Sequence, residues 1–89
     1  MPVMMISDVS GQTPQGYDGL LAEVGPVLKS AEGFLMHASH PIEGGWRVVE
    51  VWDTREDAAR FYAATIARHL PEGIRPKLTF APLHDLVWP

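Results

Sequence analysis

The stretch GFLMHASHPIEGGWRVVEVWD, residues 33 to 53, holds the side chains best suited to moving a proton, His37 and Glu50, together with Trp46 and Trp52. An imidazole titrates near neutral pH, and a carboxylate beside it fixes its tautomer and raises its basicity, which makes a general base or acid. Two indoles can form flat walls against an aromatic ligand. Each residue also has a plainer reading. His37 could be a satisfied core histidine, Glu50 could be ion-paired with Arg47, and the tryptophans could simply pack. His84, in LHDLVW, is a candidate second proton carrier, or an edge-strand histidine paired with Asp85 or solvent. His40 and His69 fall at element ends and read as solvated. The chain has no cysteine, and His37 and His40 point to opposite faces of a strand, so no dense metal-ligand set is expected. Nor is there a glycine-rich phosphate loop or a nucleophile elbow, and no cofactor is expected.

The elements that must position these residues follow from periodicity. VMMISDV, residues 3 to 9, is apolar on both parities, as a strand covered on two sides would be. Thr13 is a possible N-cap with Pro14 at the first helical position, and Tyr17, Leu20, Leu21, Val24, Val27 and Leu28 follow at helical spacing. Gly25-Pro26 predicts a kink near Gly25 or an early end there. GFLMHASH and WRVVEVWD flank PIEGG, the pattern of an antiparallel hairpin with a loop of about five residues. DTREDAARFYAATIARHL reads as a second helix, capped by Asp53 or Thr54, acidic in its first turn and stopped by Pro71. KLTFAPLHDLVW is a final extended run whose Pro82 suits a sheet edge or a bulge. The order βαββαβ implies an α+β, ferredoxin-like domain spanning residues 1–89, a four-stranded antiparallel sheet with both helices on one face.

A chain of 89 residues removes only about 60 to 65% of its unfolded surface from water on folding, so its own core is thin. The net charge is −4 and the seven Lys and Arg residues are scattered, which argues against nucleic acid as a partner. No basic leader opens the sequence, and no apolar run approaches the roughly 20 residues a bilayer requires. A cytoplasmic protein with no membrane partner is expected.

Two helices cover only one side of a sheet, yet the strands are apolar on both sides. In strand three Trp46, Val48, Glu50 and Trp52 share one face, and Arg47, Val49 and Val51 the other; strand two divides into Leu35, His37 and Ser39 against Phe34, Met36 and Ala38. The more uniformly aliphatic side, Val49, Val51, Phe34 and Met36, is assigned to the helices. The mixed side would then be sealed by a second copy, since a bare patch of that kind is costly at about 25 cal/mol per Å². With His37 opposite Glu50, Leu35 would lie opposite Trp52 on the same face.

GF opening strand two (Gly33, Phe34), the strand order, and GGWRVVEVWDTREDAARFY running from strand three into the second helix together resemble the antibiotic biosynthesis monooxygenase-like (ABM-like) proteins. The resemblance covers nearly the whole chain and implies a dimeric α+β barrel, a homodimer that holds a hydrophobic ligand. It further implies a tryptophan near the end of strand three, here Trp52. The polyketide monooxygenases of this group also use an asparagine, which this sequence lacks entirely. The haem-degrading branch has a histidine in the second helix about where Tyr62 stands. The resulting expectation is a small cofactor-independent enzyme acting on an aromatic or polyketide-like compound, by oxygenation, isomerisation or cyclisation. His37, Glu50 and His84 would move protons, and Trp52, Trp46, Leu35, Ser39 and Tyr62 would hold substrate. The alternative is a non-catalytic homodimer that binds a small molecule or serves a structural role.

Overall fold

A computed structural model describes all 89 residues. β1 (Val3–Ser10) is followed by α1 (Pro14–Lys29), β2 (Phe34–Ile42), β3 (Gly45–Trp52) and α2 (Arg55–Phe61). A π-helical turn (Tyr62–Ile66) joins α2 to a short α3 (Ala67–His69), and β4 (Lys77–Pro82) completes the sheet in the order β2-β3-β1-β4. Every neighbouring pair is antiparallel. This is the expected ferredoxin-like arrangement, with β4 at an edge where Pro82 disturbs no further strand.

Local chemistry sets the element ends. The Thr13 hydroxyl accepts from the Gly16 amide at 3.0 Å, and the Thr54 hydroxyl accepts from the Asp57 amide at 3.0 Å, so each helix starts on a threonine cap. α1 does not stop at Gly25; it continues through Pro26 to Lys29. Val24 and Leu28, each 4% exposed, anchor the helix on either side of the proline, and this packing outweighs the missing backbone donor. The hairpin is tighter than expected. Pro41 and Ile42 pair with Trp46 and Gly45, leaving Glu43 and Gly44 as the turn, with Gly44 supplying the positive φ of 73°. The last strand ends at Pro82 instead of running on to Trp88, and the Leu83 amide donates to the Pro2 carbonyl at 3.0 Å.

The core corrects the face assignment. Met5, Leu28, Trp52, Ala58 and Phe61 form the buried cluster, so the side of β3 that carries Trp46, Val48, Glu50 and Trp52 faces the helices. The Met36, Val49 and Val51 side is the one no helix covers. Trp52 is completely buried, a degree of cover that the helix layer provides within a single chain. Phe34 also changes sides. A bulge between Phe34 and Met36 sets Phe34 opposite Trp52, where the rings meet edge-on with centroids 5.5 Å apart, and Leu35 loses the expected place opposite Trp52. Gly33, at φ 82°, turns the chain into this irregular start.

Candidate active site

The hairpin places His37 directly opposite Glu50, as the strand pattern predicted. The His37 Nδ1 lies 2.7 Å from Glu50 Oε2, and the Trp52 indole N–H donates to Glu50 Oε1 at 2.9 Å. Residues 50 and 52 share a face of β3, so the indole reaches the carboxylate within its own strand. Across the gap, the hydroxyl of Tyr17, in the first turn-and-a-half of α1, lies 2.6 Å from His37 Nε2. Four side chains from α1, β2 and β3 thus form one hydrogen-bonded line.

Hydrogen-bond capacity fixes the direction of that line. A carboxylate only accepts, so Glu50 takes one bond from Trp52 and one from His37, which assigns the imidazole proton to Nδ1. In the neutral imidazole Nε2 is then an acceptor, and the Tyr17 hydroxyl donates to it. Movement of the tyrosine proton onto Nε2 would create an imidazolium beside the carboxylate, the arrangement that stabilises it best. Tyr17 is therefore the end of the line that can take a proton from something else.

That end opens on a cavity between α1, the sheet and the π-helical turn, lined by Tyr17, Leu21, Val24, His37, Trp46 and Tyr62 among others. Its lining is largely apolar. The space within measures about 70 Å³. Tyr17 is stacked on Trp46 with centroids 5.1 Å apart and an interplanar angle of 24°. The indole N–H of Trp46 is buried and makes no hydrogen bond. The π-helical turn, closed by an Ala67 amide bonding back to the Tyr62 carbonyl, brings both Tyr62 and Ile66 to the cavity wall.

Of the residues singled out from sequence, His37, Glu50, Trp46 and Tyr62 line this space. Trp52 lies behind Glu50, and its N–H is already engaged there. Leu35 and Ser39 are half-buried beside the site without lining it, and His84 is exposed on the segment after β4. Arg47 does not pair with Glu50. It points to the opposite face and grips Asp8 with two bonds of 2.7 and 3.0 Å, holding the Asp8 carboxyl below its ordinary value chiefly through that hydrogen bond. No three histidine or acidic side chains converge as metal ligands. Tyr17 escaped the sequence reading because helical spacing counts it simply as an apolar position. The available signal was a hydroxyl on an otherwise aliphatic helix face, since a buried tyrosine usually finds a hydrogen-bond partner.

Solved structures share this architecture over almost their full length. SnoaB of Streptomyces nogalater, a cofactor-independent oxygenase, superposes with a TM-score of 0.74 at 13% identity, covering 97% of this chain and 96% of that one. The chain folds as the ABM-like proteins do. A Chloroflexus aurantiacus protein proposed to be an antibiotic biosynthesis monooxygenase matches at a TM-score of 0.64 and 19% identity, over 98% of both chains. The heme-degrader MhuD of Mycobacterium tuberculosis, which has two hemes bound in its active site, matches at 0.61 and 19%, over 99% of this chain and all of its own. No family sequence model matches the chain, and no curated protein sequence is similar to it. Within the ABM-like fold, the line of Tyr17, His37, Glu50 and Trp52 lies between sheet and helices of one chain.

Proposed function

We propose that this protein is a cofactor-independent enzyme of the antibiotic biosynthesis monooxygenase type, which abstracts a proton from a hydrophobic, enolisable aromatic compound and directs the resulting carbanion to dioxygen. The observation that carries the reading is the hydrogen-bonded line from Trp52 through Glu50 and His37 to Tyr17, ending at an apolar cavity. The Tyr17 oxygen takes the substrate proton as its own proton passes to His37 Nε2. Glu50 then balances the imidazolium, and Trp52 holds Glu50 in place. The carbanion gives an electron to dioxygen, the radical pair forms a C–O bond, the peroxide anion takes back the proton held on His37 by way of Tyr17, and the resulting hydroperoxide loses water. A methylene carbon and one dioxygen thereby become a carbonyl and one water. The apolar cavity lets these hydrogen bonds act without competition from bulk water. The oxygenase reaction of SnoaB, on the same fold, supports dioxygen over a simple return of the proton, although the same base would serve an isomerisation.

The unit of function proposed is a cytoplasmic homodimer. Met4 and Ile6 of β1, Met36 of β2, and Val49 of β3 lie on the sheet face that no helix covers. A second copy would remove these residues from water, with the Asp8–Arg47 pair at the rim.

The test is oxygen uptake by the purified, metal-free protein with a panel of hydroxylated aromatic ketones and anthrones. Uptake that disappears in His37→Gln, while the variant still binds the compound, supports the reading. Equal turnover by His37→Gln, or no consumption of dioxygen with any enolisable member, overturns it. Sedimentation of Met4→Asp as a smaller species than the parent would support the homodimer.

A further inference from the structure

We infer that the Ser7 hydroxyl is the group that receives a ligand oxygen in this cavity, so that the site selects apolar rings carrying a carbonyl or hydroxyl over plain hydrocarbons. The inference rests on the proton-abstraction reading for the role of the cavity and adds to it the contact that orients the substrate. Ser7 lies mid-strand in β1 between Met5 and Val9 on the helix-facing side, and all three are buried. A hydroxyl in the middle of an apolar row packs less well than an aliphatic side chain, and a local choice of that kind marks a functional position. Ser7 is only 6% exposed, and it lines the cavity. Its hydroxyl makes no hydrogen bond to the protein, yet it is not walled in, because the Trp46 indole nitrogen alone combines full enclosure with the lack of a partner. With β3 on one side of Ser7 and β4 on the other, the part of it that a small atom can touch faces the cavity.

The strand register sets this hydroxyl beside the proton line. Ser7 pairs with Val48, so Glu50 and Trp46 are its diagonal neighbours on the same face, at about 7–8 Å between Cα atoms. Tyr17 stacks on both Trp46 and His37, so the terminal base and the Ser7 hydroxyl border the same space. The other polar groups of the lining are engaged or peripheral. His37 is bonded to Glu50 and Tyr17, the Gln12 side-chain oxygen accepts from the Thr13 amide, and Tyr62 is half-buried at the wall. A hydrocarbon filling the cavity leaves the Ser7 hydroxyl without a partner, whereas a ligand oxygen supplies one. When Tyr17 takes the proton from a carbon conjugated with that oxygen, negative charge spreads onto the oxygen and the bond from Ser7 strengthens.

The experiment titrates the whole protein, in the absence of dioxygen, with α-tetralone and with tetralin, the same ring pair lacking the oxygen. Ser7→Ala should bind α-tetralone about threefold to tenfold more weakly, the loss of one neutral hydrogen bond, and should bind tetralin at least as well as the parent. The carbonyl stretch of bound α-tetralone, followed by isotope-edited infrared spectroscopy, should rise in frequency in the variant, since a hydrogen bond to the oxygen weakens the C=O bond. The urea midpoint of Ser7→Ala should not fall below that of the parent, because no bond within the protein is lost. Unchanged α-tetralone affinity and carbonyl frequency, equal weakening toward both compounds, a lowered urea midpoint, or failure of the parent to bind the ketone overturns the inference. His37→Gln separates this from the proton-transfer reading: it should abolish oxygen uptake while keeping the parent's discrimination between the two compounds. If no enolisable compound consumes dioxygen, the proton-transfer reading falls and the two affinities still decide the role of Ser7.

Discussion

Replacing Glu50 by glutamine tests the direction of the proton line with almost no change of shape. Glu50 accepts from two donors, Trp52 Nε1 at 2.9 Å and His37 Nδ1 at 2.7 Å, and its side chain is only 8% exposed. An amide has one accepting oxygen and one donating nitrogen. With its oxygen toward Trp52, its N–H₂ faces Nδ1; turned over, it sets two donors against each other at Trp52. The inexpensive escape is for His37 to move its proton from Nδ1 to Nε2. That imidazole would then donate to Tyr17, whose own proton would have to turn into the cavity, and the tyrosine could no longer pass a proton inward. Exchanging a charge-assisted bond for neutral ones costs about 1–2 kcal/mol of stability. Turnover should fall by roughly a hundredfold to ten-thousandfold, the usual contribution of a positioned base. Nitrogen NMR of the histidine ring reports the tautomer without any substrate. A Glu50→Gln protein whose His37 still carries its proton on Nδ1, with activity intact, would refute the argument.

Tyr17→Phe should lower kcat strongly with little change in KM and reduce stability by about 1 kcal/mol, since one hydrogen bond is lost; steady-state kinetics and urea unfolding check both, and undiminished kcat would make His37 the direct base. Gly45→Ala should destabilise by about 1–3 kcal/mol, because the new methyl meets the Val9 carbonyl across the β1–β3 ladder, and an unchanged urea midpoint would contradict this. The Asp8 carboxyl is held below its ordinary value of 3.8 by the Arg47 hydrogen bond, so the pair stabilises the fold above about pH 4 and loses that contribution as the pH drops through the lowered value. Asp8→Asn should therefore unfold more easily than the parent at neutral pH, and the two should converge in strong acid. A difference that persists at the acid end would show that the charge is not the cause.

Element order and the pairing of His37 with Glu50 were legible because strand periodicity and a short hairpin leave few registers open. Which face met the helices was not. Both faces of β3 are apolar, and aliphatic uniformity favoured Val49 and Val51, whereas the helices cover Trp52 and supply Tyr17. The bulge at Leu35 and the extra residue in the π-helical turn leave no mark in hydrophobic spacing, because each shifts the phase of a pattern by one position. Pro26 misled in the other direction, toward a break that the packing of Val24 and Leu28 overrides. Tyr17 needed a three-dimensional fact, that its helix crosses above His37.

The alternation along the central strand has a consequence for how this protein can change. On β3, Trp46, Val48, Glu50 and Trp52 face the helices, while Arg47, Val49 and Val51 face away. The helix-facing side and the outer face thus alternate along one short strand. Substitutions at one set can retune the cavity while the outer sheet keeps its contacts, and the reverse holds equally. A single-residue insertion anywhere in that strand would exchange the two sets at once, so the length of β3 is under tighter constraint than most of its side chains.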